Sequence, residues 1–148
     1  MNTTIQLLSS IVIFFGAFIG IYNIQNKKYN TGLKNFLKIG IIPLALISTY
    51  RHIMLGNSKN RNLFEFEAGG TNLAIAIASI IILSYNMNNK SMGIIFLIYM
   101  IYLSMSLLAW IIYSPKISTT KTINFSFLII ILMYFSYISF TKNDEQNK

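Results

Sequence analysis

The chain has no cysteine, a single histidine and only four acidic residues. Without thiols there is no disulfide, thiolate metal site, iron–sulfur cluster or thiol-redox couple. With His52 as the sole imidazole, haem ligation through two histidines is excluded. Charged residues fill 11% of 148 positions and hydrophobic ones 54%, where a soluble domain carries about 25% charged residues. Mean hydropathy is +0.56. So little polar surface cannot cover a water-facing globule, and the chain reads as an integral membrane protein. No cofactor and no catalytic residue is expected from this composition.

What charge there is lies mostly on lysine, and the formal net charge is +8. The lysines fall in short segments between apolar blocks. That placement fits anionic lipid headgroups and control of topology, and nucleic acid is not expected as a partner. The Ile, Asn and Lys bias carries no functional weight.

Five apolar blocks can be read, at about 4–24, 36–55, 63–85, 92–113 and 122–140, against roughly 20 residues for a spanning helix. The predicted architecture is all-α: a single transmembrane domain, 1–148, of five helices. The first block lacks a basic n-region and a small-residue cleavage site and reads as a retained span. The second is short between Lys38 and Arg51 and contains Pro43. It reaches spanning length only if both cations snorkel. If its helix starts near Gly40, Pro43 falls in the first turn and is harmless. Four spans plus one interfacial segment is the alternative. The short connections favour antiparallel neighbours.

With five spans, Lys27, Lys28, Lys34, Lys38, Lys90, Lys142 and Lys148 share one side, and Arg51, Lys59, Arg61, Lys116 and Lys121 the other. Seven against five places the C-terminus in the cytoplasm and the N-terminus outside, in the cell membrane. Gly16 and Gly20 form a GxxxG match, read as intramolecular packing ahead of dimerisation.

Two of the four acids enter the third span together, as Glu65 and Glu67. An ionisable group in a span is costly and is by default a functional candidate. Arg51 lies near the end of the second span, and Glu67 near the start of the third. At about 1.5 Å per residue both are roughly 6 Å from the helix ends, so an Arg51–Glu67 contact at equal depth is predicted. His52 and Glu65 lie beside them, with Thr71 and Asn72 one turn deeper. The predicted polar mouth is thus Arg51, His52, Glu65, Glu67, Thr71 and Asn72.

Glu67, Gly70, Thr71, Ala74 and Ala78 share one helical side, whose small residues suit close helix approach. Glu65, Gly69, Asn72, Ala76 and Ser79 mark the adjacent face, and Ile75 and Ile82 are expected to point outward. A structural account also fits: Asn62 caps the helix, Glu65 completes a capping box, and the helix dipole favours both acids. The two carboxylates diverge by about 200° around the helix, which suits neither a shared proton nor one ion. A metal site from His52, Glu65 and Glu67 lacks a second histidine, and none is expected. Ser48 lies one turn from His52, but no nucleophile elbow accompanies it. Arg51 and His52 suit an anionic headgroup.

The run Phe64 to Leu73 reads aromatic-Glu-aromatic-Glu-small-Gly-x-x-Asn-Leu. With the upstream Arg it resembles a family of small, uncharacterised multi-span prokaryotic membrane proteins. The resemblance covers the second and third spans, and its motif would include Glu65, Glu67, Gly69 and Asn72. By size and span number the layout also resembles DoxX-type proteins, although the lack of cysteine departs from thiol-redox versions. Three functions follow in order: a packing or partner subunit, as a homo-oligomer or beside another membrane protein; a carrier gated by Arg51 and Glu67; and a membrane enzyme on a lipid or quinone-like substrate.

Overall fold

The computed structural model describes residues 3–53, 63–113 and 119–142. These residues are helical apart from short turns, with no strand among them. Five helical stretches are long and apolar enough to cross a membrane. In hydrocarbon every backbone polar group must be satisfied internally, and a helix does this within one segment. The chain divides into two units, Met1–Met87 and Asn88–Lys148.

The first unit opens with α1 (Thr3–Gln25). Its end is a Schellman turn: Lys28 N–H donates to the Asn23 carbonyl and Lys27 N–H to that of Ile24, both at 2.9 Å. Lys27 takes the left-handed conformation this turn requires, at φ 61°. The chain then runs through α2 (Tyr29–Asn35), a π-helical segment (Phe36–Ile41) and α3 (Ile42–Ile53). Together these make one 25-residue apolar stretch, Tyr29–Ile53.

The second span therefore starts seven residues before the expected boundary at 36, and Pro43 lies well inside it. The π segment answers the proline. Pro43 supplies no N–H, and its ring crowds the carbonyl four residues back. Directly before it, Ile42 N–H reaches five residues back to the Leu37 carbonyl. This wider turn relieves the ladder without ending the helix.

The π segment is also where α1 comes closest. A Cβ on Gly16 would stand 2.5 Å from the Gly40 nitrogen and 2.6 Å from its Cα. One on Gly32 would meet the Gly20 carbonyl oxygen and an Ile24 side-chain carbon at 2.7 Å. Gly16 and Gly20 thus pack within the chain, as expected. Lipid tails are as apolar as side chains, so close backbone approach replaces the hydrophobic effect as the source of attraction.

The unit closes with α4 (Leu63–Ser84). A second Schellman turn ends it: Met87 N–H donates to the Ile82 carbonyl and Asn86 N–H to that of Leu83, with Asn86 left-handed at φ 49°. The Lys34 ammonium donates to the Asn86 side-chain oxygen, tying α2 to this turn.

The second unit is a hairpin of α5 (Asn89–Tyr113) and α6 (Thr119–Thr141). Asn88 caps α5, its side-chain oxygen accepting from Ser91 N–H at 3.0 Å and Ser91 Oγ at 3.1 Å. This cap starts the helix three residues before the expected 92. Packing is aromatic along much of the hairpin: Phe96 meets Phe135 edge to face with centroids 6.0 Å apart, and Trp110 meets Phe125 at 5.5 Å.

Candidate polar mouth between α3 and α4

The end of α3 and the start of α4 carry complementary charge. Arg51 and His52 occupy the last turn of α3 and Glu65 the first turn of α4. Each placement is favoured by its own helix dipole, by about 0.3–1 kcal/mol. Arg51, His52 and Glu65 are all half-buried, and the Glu65 Oε2 atom is shielded from solvent.

Glu65 is the carboxylate whose field acts on both Arg51 and His52. It attracts Arg51 and likewise a protonated His52, which Arg51 in turn repels. The expected Arg51–Glu67 contact does not form. Glu67 is exposed, and no ion pair joins it to Arg51 among the described residues. The helical angle separating the two glutamates explains the exchange: once one faces α3, the other must turn away.

Gly69 sets how closely α3 and α4 meet at this level. A Cβ there would come within 2.5 Å of Ile53 Cγ1 and 3.4 Å of His52 Cβ. Thr49 Oγ1 donates to the Ala45 carbonyl at 2.9 Å and reaches the Gly69 carbonyl at 3.3 Å. Thr49 and Ile53 were not anticipated as part of the mouth. Their signal was available: Thr49 precedes His52 by three residues and so shares its helical side.

The remaining candidates separate. Asn72 is 2% exposed and donates to the Ala68 carbonyl at 2.7 Å. Thr71 is half-buried and donates to the Glu67 carbonyl at 2.9 Å. Asn72 therefore belongs to the interior beneath Glu65, and Thr71 to the neighbourhood of Glu67. The proposed cap by Asn62 lies outside the described residues.

The face that α4 buries corrects the sequence reading. Ala68, Asn72, Ile75, Ala76, Ser79 and Ile82 are buried, whereas Glu67, Gly70 and Ala74 are exposed and Thr71 and Ala78 half-buried. Ile75 and Ile82 face inward, not to lipid. Both faces carry small residues, so size did not choose between them. The buried polar groups are satisfied on their own helix, Asn72 at Ala68 and Ser79 Oγ at the Ile75 carbonyl, 2.7 Å away. That lets them enter the packed side without an unmet donor.

Among the described residues no group of three or more His, Asp or Glu side chains is placed to hold a metal ion. No family model, curated protein or solved structure matches the chain.

Proposed function

We propose that this chain is a small membrane subunit that receives a partner helix, taken here as one from a second copy, on the outward side of α4. The observation that supports this most is Glu67. It is an exposed acid about 6 Å into an apolar span, beside Gly70, where a Cβ would meet nothing within 4 Å. Ala74 continues the same open side. Facing hydrocarbon, an acid costs up to about 2.5–3.5 kcal/mol at the helix centre and less at this depth, so covering it is a modest gain. A helix seated over these small residues can approach closely and cover Glu67 with a polar side chain. Glu65 attracts Arg51 from the other side of α4, and Thr49 reaches the Gly69 carbonyl there, which leaves the Glu67 side open. The Phe64–Leu73 motif then marks the hairpin that carries the contact.

The carrier reading needs Arg51 and Glu67 to meet as a gate, and Glu65 in that role leaves it weaker. In this account the chain lies multi-pass in the cell membrane, N-terminus outside and C-terminus in the cytoplasm. Cysteine labelling tests that arrangement on a chain with no native thiol: probes at Lys59 and Lys90 should react from opposite sides, and reaction from the same side would refute it.

The subunit reading is tested by Gly70→Cys in native membranes. Mild oxidation should yield a cross-linked dimer, weakened by adding Glu67→Gln. Phe18→Cys, on the exposed side of α1, should stay monomeric. A Gly70→Cys protein that remains monomeric would remove the second copy as the occupant.

A further inference from the structure

The opposite end of the first unit carries only positive charge. Lys27, Lys28 and Lys38 are exposed and Lys34 is half-buried. The described acids of this unit, Glu65 and Glu67, lie at the far end of α4. From Glu67 to Asn86 is 19 residues, about 28 Å of helix. No carboxylate of this unit's described residues is therefore within reach of these lysines.

The bond from Lys34 to Asn86 fixes the level of the cluster. Asn86 belongs to the turn that ends α4, so Lys34 stands where that apolar span stops. Lys38 follows four residues later on the same side of its helix, about 6 Å further into the span. Like charges at this spacing repel, and an ammonium below the span boundary must reach back toward the headgroups. Both ammonium groups can therefore reach headgroup level, and no carboxylate among this unit's described residues lies beside them.

We propose that Lys34 and Lys38 form a binding site for the phosphate of an anionic membrane lipid. The phosphate bridges the two ammonium groups and offsets their repulsion. The depth of Lys38 selects a phosphate that arrives with acyl chains over one free in water. This site is independent of the outward side of α4.

The test is titration of phosphatidylglycerol into the detergent-solubilised full chain, with retained lipid read by native mass spectrometry. A basic side chain at a membrane surface contributes about fivefold in affinity, so Lys38→Gln should weaken retention about fivefold while keeping the Lys34–Asn86 bond. Lys34→Gln with Lys38→Gln should weaken it about 25-fold. Lys27→Gln with Lys28→Gln removes the same charge from the neighbouring turn without touching the proposed pair, and should weaken retention clearly less than the Lys34–Lys38 double variant. Equal loss in the two double variants would reduce the effect to bulk charge and overturn the site. So would unchanged retention in Lys38→Gln. Displacement of the lipid by millimolar inorganic phosphate would reassign the pair to a soluble anion and overturn the lipid assignment.

Discussion

The two units solve the same problem with different residues. In the first, α1 meets the second span at Gly16, Gly32 and Gly40, backbone against backbone. In the second, α5 and α6 meet through Phe96, Phe135, Trp110 and Phe125, and Gly93 faces the side chain of Ser139. Membrane helices gain little from burying apolar surface, so attraction comes from dispersion at short range. Glycine gives that range by removing side chains, and aromatic rings give it by filling space. The difference has a consequence for charge. Arg51, His52 and Glu65 sit in the unit that packs backbone on glycine, where Gly69 lets Ile53 and His52 of α3 close onto α4.

Substitutions at the closest contacts break the comparison most sharply. Gly16→Leu puts a side chain into the Gly40 backbone, which cannot rotate away. It should cost about 3 kcal/mol or more in SDS-driven unfolding. Gly93→Ala meets the Ser139 hydroxyl, which can rotate only by giving up its bond to the Ser136 carbonyl. It should still cost less than Gly16→Ala, whose neighbour is backbone. Equal losses at the two alanine variants would mean that the units pack alike. Phe135→Ala removes a buried ring from the aromatic hairpin. It should cost about 2 kcal/mol, below the 3–5 kcal/mol of water-soluble cores because lipid replaces the lost transfer term. Lys27→Gly relieves a left-handed residue that is not glycine and should stabilise the first unit by about 1 kcal/mol. No gain would mean that the turn after α1 is not strained by its lysine.

The five spans were legible because length and apolarity alone determine them. Their boundaries were less so, and the second span shows why. Lys34, Lys38 and Pro43 each argue for a later start, yet the lysines lie at the outer end of the span and a π segment accommodates the proline. Neither solution is visible in residue type. At the mouth, the residue set was readable and its pairing was not. Glu65 and Glu67 lie at similar depth, so depth could not decide which one acts on Arg51. The decision came from the buried side of α4, set by Gly69, Asn72 and Ser79. Reading it required knowing that those two polar side chains satisfy themselves on their own helix.

The central claim is that Glu65 locks α3 to α4 while Glu67 faces outward. Two double-mutant cycles test it, one with Arg51→Met and Glu65→Gln, the other with Arg51→Met and Glu67→Gln, both by SDS-driven unfolding. The account predicts a coupling of about 0.5–1 kcal/mol between Arg51 and Glu65 and about zero between Arg51 and Glu67. Coupling confined to Arg51 and Glu67 would contradict it.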